Sequence, residues 1–266
     1  MFPEFNFLDR TIGTYGLLCM IGLIVSAVVV YRLGKEYKIS FEDIILLMLS
    51  IGVGILIGGH TLYGITNIEK ILKTLSLIGK ISYIEIFKQL SICFGGSVFY
   101  GGFIGAIIAI LIHTRISKTL NRNQILDIFA VSAPLFHFFG RIGCALGGCC
   151  YGIESKFGYT VFDNQYIPEL NGVNRFPVQF LEAILNIIIF VFILYLHKKS
   201  YAKENLIYCY IISYSIIRFL VEFLRGDLIR GIWFGLSTSQ WISILLFIIG
   251  TTMLIYKKQK KAKGCI

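Results

Sequence analysis

Long apolar runs divided by short polar connections dominate the chain, and most of those connections are basic. A helix that crosses a bilayer takes about 20 mainly apolar residues. The runs predict seven spans, over 12–32, 41–63, 92–114, 124–142, 177–197, 205–224 and 236–256. Two connections are long enough to carry structure of their own. In 64–91 the apolar spacing fits an amphipathic helix lying on the membrane surface, with a solvated loop as the equal alternative. In 143–176 the alternation of FGYTVFD predicts a short strand, in a stretch that also holds Asp163, Asn164, Glu169, Asn171 and Asn174. The expected fold class is an all-α integral membrane protein. It forms one transmembrane domain over 1–266, with a small extracellular loop subdomain at 143–176.

Composition and charge sharpen this picture. The chain has 266 residues, 56% of them hydrophobic, and a mean hydropathy of +0.76, which excludes an ordinary soluble domain. The net charge of +10 is not read as a nucleic-acid signal, because it gathers at the ends of spans. Arg32, Lys35 and Lys38 follow the first, Arg115, Lys118 and Arg122 the third, and Lys198, Lys199 and Lys203 the fifth, while five lysines lie in the tail KKQKKAKGCI. All four segments fall on one side, so the N-terminus is expected outside and the C-terminus in the cytoplasm of a multi-pass protein of the bacterial cell membrane. Lys70, Lys73, Lys80 and Lys88 on the outer side run against that pattern. The first run has no convincing cleavage site and is expected to remain as a helix. The GCI ending is one residue short of a prenylation box, so Cys265 is given no role.

Charges inside spans are costly and mark sites by default. Arg141 lies at the outer end of the fourth span and Arg218 inside the sixth, with Tyr214 four residues before it and Glu222 four residues after. The Arg218–Glu222 spacing also fits a buried structural pair. Arg225, near the end of the same helix, has the reach to snorkel to headgroups. Two arginines near one leaflet suggest a phosphate, whose oxygens match a guanidinium fork. Glycines 140, 143, 147 and 148 permit a close approach of backbone to such a headgroup. Equally, small residues of this kind pack helices together in membranes.

The motifs TYGLLCMIGL, YGGFIGAIIAI, DIFAVSAP, GRIG, FPVQFLEA, YSIIRFLVEFLR and GLSTSQWISI, in that order, make the chain resemble the bacterial prolipoprotein diacylglyceryl transferases. The resemblance covers most of the chain. It implies transfer of a diacylglyceryl group from phosphatidylglycerol to the cysteine of a lipoprotein precursor, with release of glycerol phosphate and without a cofactor. The candidate residues for catalysis are Arg141 and Arg218, with Tyr100 and His137 and, as a nucleophile read from its own thiol, Cys149. Those that the resemblance implies for substrate binding are Arg141, Gly143 and Cys144, with Tyr15, Gln179 and Glu182, and Tyr214, Glu222 and Arg225.

The match has informative departures. The family box Gly-Arg-x-Gly-Asn-Phe-x-Asn-Gly-Glu keeps Arg141 here, but Cys144, Gly147 and Cys149 stand for its two Asn and its Glu. Tyr100 stands where the family has a His often assigned as base, and His60 where it has an Arg. The phosphate-binding arginines thus match better than the groups around the acceptor, so the alternative to a lipoprotein precursor is a divergent member that uses another thiol or nucleophile as acceptor. The contrasting class is a non-catalytic or transport protein that binds anionic lipid. Tyr100, His137 and His60 are candidates for handling the proton. His137 also reads as a hydrogen-bonded residue at a helix end. Cys144, Cys149 and Cys150 admit packing, a disulfide, or a reactive thiolate at Cys149 or Cys150 whose pKa is lowered by Arg141. Zinc ranks last and no metal is expected, because the spacing lacks a second ligand pair.

Overall fold

Each apolar run becomes one helix, because in hydrocarbon every backbone N–H and C=O must be satisfied within the segment. The computed structural model describes residues 4–7, 10–162, 164, 167–227 and 231–262. Asp163 and Cys265 lie outside the described residues. A short antiparallel pair, β1 (Glu4–Phe7) and β2 (Arg10–Gly13), leads into α1 (Thr14–Glu36). There follow α2 (Phe41–Thr66), α3 (Ile68–Leu75), α4 (Tyr83–Cys93), α5 (Phe99–Ile116) and α6 (Arg122–Gly147). Strands β3 (Glu154–Thr160) and β4 (Asn174–Arg175) then precede α7 (Val178–Lys198) and α8 (Leu206–Val221). The hairpin β5 (Ile232–Trp233) and β6 (Leu236–Ser237) leads into α9 (Thr238–Ala262). Among the described residues seven helices are long and apolar enough to cross a membrane.

Two span ends and one connection show how the structure refines the sequence reading. The third span begins at Phe99 rather than 92, because Gly95 and Gly96 end the preceding helix in a run that is apolar but poor in helix formers. The connection at 64–91 is not a solvated loop. It folds as α3 and α4, with Ile68, Leu72, Tyr83, Ile84 and Phe87 exposed among the charged positions, as the amphipathic alternative expects. The fourth span continues to Gly147. Gly143 and Cys144 are therefore helical, and the connection expected to start at 143 starts at 148.

The fold divides into two units: Met1–Arg32 with Asp127–Ile266, and Leu33–Leu126. In the second, α2 and α5 pack through paired small residues. An added Cβ on Gly54 or Gly58 would overlap the carbonyl of Gly105 or Gly101, and the converse holds for Gly101 and Gly105. Glycine here lets two backbones meet. In the first unit, fully buried Asp127 receives the backbone N–H of Glu204 at 2.6 Å and of Leu206 at 2.8 Å, so α6 caps the start of α8. The expected strand is present as β3, paired antiparallel with β4. The segment between them is closed by asparagines. Asn171 Oδ1 accepts from Asn164 N at 2.8 Å, and Asn171 Nδ2 donates back to Asn164 O at 3.1 Å.

Orientation is a prediction. Phe157 in β3 is 73% exposed. A membrane-impermeant thiol reagent on intact cells is expected to label a cysteine placed at Phe157 above the parent background, and not one placed at Gln259. The reverse pattern would invert the topology.

Candidate functional site

The site of the first unit is built by three helices and the turn that ends the third. Positions 137, 141 and 144 of α6 are three and four residues apart and so share one face. That face presents His137, Arg141 and Cys144; α7 brings Gln179 and Glu182, and α8 brings Tyr214 and Arg218. A single 3-10 turn, 222–224, follows α8 and places Glu222 and Arg225.

Glu182 is the centre. Its carboxylate accepts from Arg141 Nε, from Arg218 Nη1 at 3.2 Å and from Arg225 Nη1 at 3.3 Å. Arg218 Nη2 also reaches Glu222 at 2.7 Å and Ser239 Oγ at 3.1 Å. Arg225 grips Asp227 with Nε at 3.0 Å and Nη2 at 2.8 Å. Burial opposes the charge of Arg225, but its Asp227 hydrogen bonds carry its pKa above the ordinary guanidinium range. Three guanidiniums thus face the three carboxylates of Glu182, Glu222 and Asp227, which is how charges so far from water are kept.

The three arginines are not equivalent. Arg218 and Arg225 have their forks engaged by carboxylates. Arg225 does not snorkel; its side chain is only 3% exposed. Arg141 spends Nε on Glu182 and on His137 Nε2, at 3.2 Å from the latter. Among the described residues neither Nη of Arg141 makes a hydrogen bond, and its side chain keeps 10% exposure. Because His137 Nε2 accepts from Arg141, the lone pair a base would use is turned toward a cation. Its ring stands 5.3 Å from that of Tyr214. Glu222, expected to bind substrate, pairs with Arg218.

The cysteines meet beside this network. Among the described residues all six are free thiols, so the disulfide reading is not realised. Past the end of α6, Gly148 (φ 77°) and Cys150 (φ 57°) adopt left-handed backbone and turn the chain back. Cys149 N then bonds Cys144 O at 3.1 Å. The Sγ atoms of Cys144, Cys149 and Cys150 all lie within 4.8 Å of one another. Gln179, a candidate substrate ligand, holds this turn: its Nε2 donates to Cys149 O at 2.8 Å, while its Oε1 accepts from Tyr159 OH at 3.4 Å. Burial raises the Tyr159 phenol. Hydrogen bonds from Cys144 and Cys149, aided by the charges of Arg141 and Arg225, lower the Cys150 thiol despite its burial. Cys149 goes the other way. The Cys144 hydrogen bond lowers it, but the Cys150 hydrogen bond and burial prevail and it stands at about 11.

Tyr15, at the start of α1, lies against Gly143. Tyr100 and His60 belong to the second unit. There Tyr100 is buried near the start of α5, and His60 Nδ1 donates to Phe94 O at 2.7 Å. The sequence reading missed Asp227 and Ser239. Asp227, two residues past Arg225 in LRGD, was detectable as a local partner; Ser239 becomes one only through the packing of α9 on α8.

Comparison with known proteins agrees over nearly the whole length. The family model described as prolipoprotein diacylglyceryl transferase matches residues 4–256. The phosphatidylglycerol–prolipoprotein diacylglyceryl transferase of Clostridium tetani is 32% identical over 249 residues, covering 92% of this chain and 93% of the relative. A second such enzyme, from Clostridium perfringens, is 32% identical over 254 residues, covering 95% and 93%. That of Campylobacter hominis is 29% identical over 251 residues, covering 92% and 87%.

Proposed function

Because the chain belongs to the prolipoprotein diacylglyceryl transferase family, we propose that the Arg141 site is where it carries out that family's reaction. The protein is a transferase of the membrane. It moves the diacylglyceryl group of phosphatidylglycerol to a prolipoprotein, and its seven apolar helices support a multi-pass membrane protein, which we propose resides in the bacterial cell membrane.

The observation that carries the site assignment is the open fork of Arg141. A phosphodiester needs donors in a plane, and the two free Nη groups supply them. Glu182 fixes that fork by holding Nε, and Arg218 and Arg225 fix Glu182. Binding energy is thus not spent on ordering a long side chain when lipid arrives. In the reaction a thiolate sulfur on the acceptor forms a bond to the terminal glycerol carbon. The bond from that carbon to the phosphate oxygen breaks, and its electron pair stays on the oxygen. Glycerol phosphate leaves with one more negative charge than the diester had, and Arg141 stabilises that developing charge. His137 orients Arg141 through Nε2 and does not take the proton.

The test is replacement of a cell's own enzyme. The gene, expressed in a bacterium depleted of its diacylglyceryl transferase, is expected to restore growth and to add a diacylglyceryl mass to lipoproteins. Unmodified lipoproteins in cells whose membranes contain the folded protein would overturn the reading. They would favour a lipid-binding role instead.

A further inference from the structure

We propose that Cys144, Cys149 and Cys150 form a three-thiolate site for one zinc ion, whose fourth position takes the acceptor thiol. This rests on the transferase reading for its second half and on the thiol geometry for its first.

The geometry comes close to a ligand set already. Zinc–sulfur bonds of about 2.3 Å in a tetrahedral site set the sulfurs about 3.8 Å apart. The three sulfurs lie within 4.8 Å of one another, so ligation asks for a contraction of less than about an ångström. The backbone that presents them is held from several sides. Gln179 binds Cys149 O, Cys149 N binds Cys144 O, Gly226 N donates to Tyr151 O at 3.0 Å and Ile153 N donates to Leu224 O at 3.0 Å. Cys150 itself occupies a left-handed conformation that residues with a Cβ disfavour, and these surrounding bonds hold it there.

Ligand number and charge agree. A structural zinc site is closed by four protein ligands, whereas a reactive one keeps three and leaves a position open. The missing second ligand pair that argues against structural zinc is what an open site requires. Three thiolates with a divalent zinc carry one net negative charge, and Arg141 and Arg225 are both within electrostatic reach of Cys150. Soft thiolates suit zinc over the hard cations.

Such a site supplies a step that the surrounding residues do not. His137 Nε2 faces Arg141, and Glu182 is shared by three guanidiniums. An acceptor thiol entering the fourth position would lose its proton to the displaced water and bind as thiolate. Cys144 is three residues past Arg141 on α6, so the bound sulfur would lie on the same face as the fork that holds the phosphate. After sulfur–carbon bond formation the product is a neutral thioether, a weaker ligand than a thiolate, and it leaves the ion.

Cobalt(II) reports both halves, because its ligand-field bands reveal tetrahedral thiolate coordination. The full-length protein, reduced and held in phosphatidylglycerol nanodiscs, is expected to bind one cobalt per chain against a competing chelator. A short peptide bearing the acceptor cysteine is expected to shift those bands, and the same peptide with serine is not. Each of Cys144→Ser, Cys149→Ser and Cys150→Ser should remove roughly one third of the sulfur-to-metal charge-transfer intensity, in proportion to thiolate number; Cys209→Ser should remove none. Failure of the wild type to bind cobalt, a disulfide that forms among the three in place of binding, or bands indifferent to the cysteine peptide would each overturn the proposal. The transferase reading fails separately, if the zinc-loaded protein transfers no lipid while the cobalt bands still respond to the peptide.

Discussion

Replacing Arg141 with lysine is expected to cut transfer from labelled phosphatidylglycerol by about two to three orders of magnitude, the usual cost of losing one well-placed donor to a developing oxyanion. The reason is shape rather than charge. Lysine would still neutralise part of Glu182, but its ammonium is a point donor and leaves nothing like the two free Nη groups for the phosphate. The loss should fall on the rate at saturating lipid more than on lipid affinity, because the extra charge on phosphate appears only as the bond breaks. Turnover in nanodiscs, measured beside thermal unfolding of the same preparation, checks this. Unchanged turnover would remove Arg141 from the reaction.

Glu182→Gln is expected to damage the fold itself. The amide keeps the volume of the carboxylate and loses its charge, so Arg141, Arg218 and Arg225 lose the anion they share. Removing one partner of a buried ion pair costs about 3–5 kcal/mol, and here a single residue serves three partners. A large fall in midpoint temperature is expected, with loss of transfer following from it. Glu222→Gln should cost less, since Arg218 would keep Glu182 and Ser239. Equal stability of Glu182→Gln and the parent in thermal unfolding would show that the arginines do not depend on it.

The seven helices were legible because crossing a bilayer demands a long apolar run, a signal that few other structures produce. It fails where apolarity and helix propensity part company. FGGSV is apolar enough to extend the third span, yet its two glycines end α4 instead. The opposite error arose at GRIGCALG. Glycines that look like loop residues by composition are helical there, and they let α6 pass close to Tyr15 of α1. Within the site, the Arg218–Glu222 pair followed from a spacing of four. The hub at Glu182 did not. Its three arginine partners are 36 or more residues away, and only the family resemblance pointed to it. The grouping of the cysteines was illegible for a different reason. A C-x4-C-C spacing brings sulfurs together only if the chain reverses between them, and the reversal depends on Cys150 accepting a backbone conformation that its residue type disfavours.

The carboxylate of Glu182 also bears on how the cycle ends. Arg141 is never without an anion, since Glu182 holds its Nε whether or not lipid is present. A guanidinium alone in a dry site would bind the departing glycerol phosphate more tightly than the lipid it came from, because the product carries the greater charge. With Glu182 in place the positive potential at the fork is already partly cancelled, so the affinity gained by the product is blunted. The same residue that assembles the site thereby limits inhibition by its product, and an enzyme weakened at Glu182 but still folded would be expected to stall on release rather than on chemistry.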